Sequence, residues 1–249
     1  MASKHIGDKT VCVTGGSGFI GAWIVRLLLD RGYTVHATVK NLYDENETKH
    51  LQDLEEHKSQ RLRLFQIDLL DYDSIVKTIT GVTGVFHLAS PCTVDKVHDP
   101  EEVLGPAIKG TNNVLVAAKE LGVKCVVITS SISAIVPKGG CTETYEDFFM
   151  GSVHVKDVAL AHLLVYENPS ATGRHLCVEA ISHYGDFAAK VAELYPEHQF
   201  PSIPRDTQPG LLRSKEGAKK LMDLGLQFTS MEQIIKDSVE SLKGKGFLS

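Results

Sequence analysis

The run T-V-C-V-T-G-G-S-G-F-I-G over residues 10–21 restricts this chain more than any other stretch. Val11 and Val13 belong to an apolar, β-branched run that stops at Thr14. Ile20, Trp23, Ile24, Leu27 and Leu28 then recur on one helical stripe. Between the two stand Gly15, Gly18 and Gly21. Strand, glycine turn and helix, in that order, is what a dinucleotide phosphate site requires. Gly15 lets the chain turn tightly off the strand, Gly18 leaves room for a pyrophosphate, and Gly21 is expected to let the helix pack closely on the sheet. The helix N-terminus offers N–H groups and a positive dipole end to the phosphates. The spacing is G-x-x-G-x-x-G rather than G-x-G-x-x-G, so the flanking strand and helix carry the reading; a plain structural turn is the alternative.

With 249 residues, 43% hydrophobic and 23% charged, the chain has material for one large α/β domain or a core domain with a small lobe. A net charge of −5 speaks against a nucleic-acid or polyanion partner. No apolar run approaches the ~20 residues of a membrane span, and the polar start over residues 1–8 shows no secretory signal. Cys12, Cys92, Cys125, Cys141 and Cys177 are scattered, odd in number and without a C-x-x-C pair. Reduced thiols of a cytoplasmic protein are the expectation.

A second strand is predicted over 33–39, with Lys40 at its end. A carboxylate about 20 residues beyond the glycine turn would hold the ribose 2′-hydroxyl of NAD, whereas a cation suits the 2′-phosphate of NADP. Lys40 favours NADP, against a merely solvated lysine. Residues 41–60 read as a solvated surface helix. Strand 62–67 ends in Asp68 and Leu69, where an adenine edge would lie, and a short helix covers 72–79. Strand 82–88 runs into Ala89, Ser90 and Pro91, small residues that let a cofactor pass close to the backbone. Helix 100–121, with Gly110 inside it, precedes strand 124–129 and then Ser130 and Ser131. This alternation predicts right-handed crossovers and a Rossmann-type, doubly wound parallel sheet with ligands at the carboxyl ends of its strands.

The pattern then breaks. About two dozen residues separate Ser131 from the next helix at 156–167, whereas a βαβ unit takes roughly 30 or more. The sheet is therefore expected to be truncated after its fifth strand, with a nucleotide-binding domain over 1–138 and a smaller C-terminal α/β lobe over 139–249. In that lobe a strand is predicted at 173–178 and a helix at 182–194 capped by Ser182. A proline-bearing loop follows at 200–210, then a helix at 214–224 stopped by Gly225. The final helix, 230–242, has Ser230 as N-cap and Gln233 completing a capping box, and 244–249 reads as frayed. His154, Asp157 and His162 invite a metal reading, but their spacing also suits a helix start with ordinary core and surface positions.

Several runs together carry a resemblance. They are V-C-V-T-G-G-S-G-F-I-G-A-W at 11–23, G-V-F-H-L-A-S-P at 84–91, V-V-I-T-S-S at 126–131, V-H-V-K-D-V-A-L-A-H at 153–162, Y-E-N-P-S-A-T-G-R-H-L-C at 166–177 and K-K-L-M-D-L-G at 219–225. On these the chain resembles the extended short-chain dehydrogenases/reductases, and within them the plant cinnamoyl-CoA reductase and dihydroflavonol reductase group. The resemblance implies NADPH-dependent reduction of an aromatic CoA thioester, aldehyde or ketone, with no metal, nucleic acid or membrane partner. By position, Gly15, Ser17, Gly18, Phe19, Ile20 and Gly21 would hold the pyrophosphate, and Lys40 the 2′-phosphate. Asn46 stands near the offset of a second basic residue common in the group. Asp68 and Leu69 would meet the adenine, Leu88, Ala89, Ser90 and Ser130 would line the cofactor's path, and Ser131 matches the catalytic serine.

One departure counts against the chemistry. The family's proton donor is a Tyr with a Lys four residues later on the same helix face; the Lys lowers the Tyr pKa, and the Tyr protonates the forming alkoxide. None of Tyr33, Tyr43, Tyr72, Tyr145, Tyr166, Tyr184 and Tyr195 has a lysine four residues later. The helix that bears the pair and the strand after it are expected to be missing between Pro137 and Cys141. Two readings stay open: a reductase with impaired chemistry, or a catalytically inactive NADP-binding or partner-binding protein from a splice or gene-model variant. Either way the fifth strand is expected to be an open edge and one sheet face partly uncovered.

Overall fold

The computed structural model describes residues 9–55, 60–91, 99, 101–131, 149–197 and 216–248. The gap expected between Pro137 and Cys141, the loop 200–210 and Cys92 lie outside the described residues. Two compact units emerge: Met1–Ser130 with Val165–Ala171, and Ser131–Leu164 with Thr172–Ser249.

The first unit is a five-stranded parallel sheet. Its elements are β1 Thr10–Thr14, α1 Phe19–Asp30, β2 Thr34–Val39, α2 Glu45–Glu55, β3 Leu62–Gln66, α3 Tyr72–Ile79, β4 Gly84–His87, α4 Glu101–Glu120 and β5 Cys125–Ile128. The strand order is β3-β2-β1-β4-β5 with every pairing parallel, the doubly wound parallel arrangement expected from the sequence. Side chains alternate across the sheet. Cys12 and Val85 join Ile75 and Ile79 of α3 and Val114 and Ala117 of α4 in one buried cluster, with Val126 packed against it. Burial pushes the Cys12 thiol up to about 12, so it stays protonated.

On the opposite face Val11, Val13, Ile24 and Leu28 are buried. Here the segment Val165–Ala171 returns to the first unit. The Tyr166 ring lies tilted against Phe86 at 5.1 Å and edge-on to Tyr33 at 6.2 Å. A Cβ on Gly84 would come within 2.2 Å of that ring, so the glycine is needed for Tyr166 to reach the sheet. The Tyr33 hydroxyl donates to Glu167 at 3.1 Å, and Arg31 pairs with the same carboxylate.

Among the described residues β5 pairs with β4 alone. Ile128 is 46% exposed, and Leu104, Ile108 and Leu115 form an exposed apolar stripe on α4, with Ile108 at 62%.

The second unit holds β6 Phe149–Ser152, most of α5 Val155–Glu167, β7 Ala180–His183, α6 Tyr184–Leu194, a 3-10 turn Glu216–Ala218, α7 Lys219–Asp223 and α8 Met231–Gly244. Several sequence expectations are corrected here. Residues 173–178 form no strand; β7 pairs antiparallel with β6 instead. Val178 packs against Gly151, where a Cβ would approach it to 2.5 Å, and just beyond it the Glu179 N–H donates to the Ser152 carbonyl. Ser182 is therefore a buried strand residue, and His183 caps α6 by accepting from the Gly185 N–H at 3.0 Å.

The helix expected over 41–60 starts only at Glu45, because Asp44 accepts from the N–H groups of Asn46 and Thr48; residues 56–59 lie outside the described residues. The helix expected at 214–224 is the 3-10 turn followed by α7, and Gly225 at φ +95° ends it. Ser230 caps α8 through the Gln233 N–H, but the Gln233 side chain turns forward to Asp237, so the box stays half made. Within the stretch 244–249 expected to fray, Gly246 at φ +75° closes α8 and the Phe247 N–H donates to the Leu242 carbonyl.

Candidate functional site

The candidate site is the turn between β1 and α1, and its shape is set by two threonines. Gly15 sits at φ +68°, a conformation that favours glycine. Its N–H donates to Thr38 Oγ1 and the Gly16 N–H to the Thr38 carbonyl, both at 3.0 Å, so the end of β2 holds the turn. From the other side, Thr14 Oγ1 accepts from the N–H groups of Leu88 and Ala89 at 3.1 Å each. Added Cβ atoms explain the glycines. At Gly15 one would stand 3.0 Å from Ala89 N, and at Gly16 one would stand 2.9 Å from Ala37 Cβ. At Gly21 it would collide with the Gly15 carbonyl at 2.1 Å. The sequence assigned Gly21 to helix-on-sheet packing; what it permits is closure of the turn on itself.

The first turn of α1 is left open by its own side chains. Gly18 is its N-cap and supplies no side-chain cap, and no acidic residue lies in the first turn. The N-terminal amides therefore have no side-chain cap from Gly18 and no acidic partner within the first turn. Beside them an open cleft of about 340 Å³ is lined by Ser17, Gly18, Phe19, Trp23, Arg26 and His50, among others. These features fit the diphosphate of a dinucleotide.

Beneath the turn lies a polar chain that the sequence reading missed. Because Thr14 Oγ1 accepts two backbone N–H groups, its own hydrogen goes to His87 Nδ1 at 2.8 Å. His87 Nε2 then carries the ring proton and donates to Thr111 Oγ1 at 3.2 Å. Burial pushes the His87 pKa down to about 4, so the ring is neutral at ordinary pH. No spacing rule marks Thr14, Thr38 or His87; they are ordinary strand residues until the fold pairs them.

The remaining predicted residues are dispersed along the carboxyl ends of the strands. Lys40 ends β2 with an exposed side chain, and its N–H donates to Glu47 Oε2 at 2.6 Å. Asn46 is engaged with Asp44 Oδ1 through both its N–H and its side-chain amide. Asp68 is exposed and accepts from the Leu70 N–H at 2.9 Å. Leu69 is half-buried against Gly110 of α4, and its carbonyl accepts from Asn113 at 2.8 Å. Leu88 and Ala89 are half-buried; Ser90, Ser130 and Ser131 are exposed. Ser17 and Ile20 are half-buried, Gly18 and Phe19 exposed.

Three tyrosines are shifted away from acid strength. Burial and Glu167 raise the pKa of Tyr33, burial raises that of Tyr166, and a hydrogen bond to Glu120 raises that of Tyr72. Tyr145 lies outside the described residues. The histidines and the aspartate that invited a metal are tied up otherwise. His154 pairs with Asp237, His162 Nδ1 contacts the Val158 carbonyl, and Asp157 accepts from Thr229. Among the described residues no group of three or more His, Cys, Asp or Glu could hold a metal, and no helix is long and apolar enough to cross a membrane.

Comparison with known proteins gives a consistent picture. The profile of the 3-beta hydroxysteroid dehydrogenase/isomerase family matches residues 12–162. Cinnamoyl-CoA reductase 1 of Petunia hybrida is 35% identical over 323 aligned residues, covering 98% of this chain and 95% of the relative. Vestitone reductase from alfalfa (Medicago sativa L.) superposes with a TM-score of 0.69 at 25% identity, over 97% of this chain and all of that one. Yeast methylglyoxal/isovaleraldehyde reductase complexed with NADPH superposes with a TM-score of 0.74 at 19% identity, over 96% of this chain and 100% of that one. The Petunia alignment is longer than this chain's 249 residues, so the relative carries residues inside the aligned span that have no counterpart here.

Proposed function

Since the chain belongs to the 3-beta hydroxysteroid dehydrogenase/isomerase family, an oxidoreductase family, we propose that it is an NADP(H)-binding reductase of the cinnamoyl-CoA reductase type whose chemical step is impaired. The observation that carries the reading is the Gly15–Gly21 turn, held between Thr14 and Thr38 over an uncapped helix N-terminus. In it Gly15, Ser17, Gly18, Phe19, Ile20 and Gly21 bind the diphosphate, and Lys40 faces the 2′-phosphate. Asp68 and Leu69 border the adenine, and Leu88, Ala89, Ser90 and Ser130 flank the path toward the nicotinamide. Nucleotide binding belongs to residues 1–138 and the substrate lobe to 139–249.

Bound NADPH supplies the hydride for an aromatic thioester or carbonyl. Ser131, just beyond β5, holds the substrate oxygen. No Tyr-Lys pair spaced for proton donation exists in the sequence. Loss of a general acid costs ~10²–10⁴ in rate. The Petunia relative's name supports the substrate class.

The test is a titration with NADPH beside a turnover assay with feruloyl-CoA. Binding that Gly21→Ala abolishes, with slow turnover that Ser131→Ala lowers further, is the expected result. Binding with no NADPH consumption favours the second reading, a nucleotide-binding protein without activity, which the lack of a Tyr with a Lys four residues later supports. Failure to bind NADPH at all overturns both.

A further inference from the structure

We propose that the Glu47 carboxylate acts as an internal stand-in for the 2′-phosphate, so that the site separates NADP(H) from NAD(H) far less sharply than Lys40 alone would allow. The inference rests on the nucleotide reading above. Two successive N–H groups at the end of β2, those of Lys40 and Asn41, converge on one oxygen, Glu47 Oε2, at 2.6 and 3.2 Å. Successive backbone N–H groups aimed at one point make an anion nest. Bonds from them to a carboxylate are charge-assisted and stronger than neutral ones. In a doubly wound sheet the end of this strand is where the adenosine ribose lies.

Glu47 is held there by its helix. Asp44 starts α2 by accepting from the Glu47 and Thr48 N–H groups at 3.1 Å each, and from the Thr48 hydroxyl at 2.9 Å. An incoming 2′-phosphate therefore meets a negative charge already seated on the amides suited to it. A ribose 2′-hydroxyl meets an acceptor to which it can donate. Asn46, which a second cation would replace, is neutral and bonded to Asp44. Lys40 is left to offset the carboxylate before it can favour the phosphate.

The competing role is a brace for the loop between β2 and α2, which would affect both nucleotides alike. Glu47→Gln separates the two, because its amide oxygen still accepts from the N–H groups while the charge is gone. The full chain is titrated calorimetrically with 2′,5′-ADP and with 5′-AMP, probes that need no nicotinamide pocket. Glu47→Gln is expected to raise the affinity ratio for 2′,5′-ADP over 5′-AMP about tenfold, equivalent to 1.4 kcal/mol. Glu47→Ala, the second variant, should move the ratio the same way, and added salt should shrink the gain. A ratio within about twofold of wild type, or a fall, overturns the inference and leaves nucleotide binding intact. A wild-type chain that binds neither probe overturns the nucleotide reading and this inference with it.

Discussion

Thr14 uses its hydroxyl in three directions at the point where strand becomes turn, and the histidine beneath it inherits a fixed tautomer. A second proton would have to go to Nδ1, which faces an oxygen already accepting two hydrogens. Burial holds the His87 pKa down to about 4, against about 6.5 in the unfolded chain. The sign follows from linkage. Above pH ~6.5 both states are neutral and the contribution is complete; as pH falls toward 4 only the unfolded state takes the proton, and about 3 kcal/mol of stability is lost. Urea unfolding at a series of pH values should show that slope, and His87→Gln should flatten it by about one proton. His162, also lowered by burial, keeps a residual slope in the variant. Gly15 and Gly18 were legible in the sequence because a missing side chain at a fixed offset is a local signal. Thr38 was not, since its bond to Gly15 joins residues 23 apart.

At the scale of elements, the five parallel strands and their helices were legible because each carries its own periodicity. The second unit was harder. Its β-pair joins β6 to a partner some thirty residues on, so the apolar run before β7 looked like the strand itself. The α8 cap at Ser230 was readable, but the tie of the preceding residue to α5 was not. The buried Asp157 carboxylate accepts from the Thr229 N–H at 2.7 Å and from its hydroxyl at 3.1 Å. Asp157→Ala leaves that N–H without its acceptor and is expected to cost about 2–3 kcal/mol, against about 1 kcal/mol for Ser230→Ala. Chemical denaturation of the two variants side by side checks the ranking. Equal losses would mean that the cap, not the tie, secures α8.

At the scale of the molecule, the shorter span of this chain beside its Petunia relative goes with apolar surface near β5. Leu104, Ile108 and Leu115 share one stripe of α4, Ile128 stands exposed at the end of β5, and the β5 edge is unpaired among the described residues. An open edge beside apolar surface promotes association between chains. Ile108→Lys should raise the monomer fraction in size-exclusion chromatography and delay light scattering on heating. An unchanged profile would show that the stripe takes no part.

The return of Tyr166 to the sheet carries a consequence for synthesis. When β5 leaves the ribosome, all five strands of the first unit exist, yet the ring that seals Gly84 and Phe86 has not been made. The nascent sheet must wait for α5 before that face is closed. Any cut that removes the second half of the polypeptide also takes away the stopper of the first.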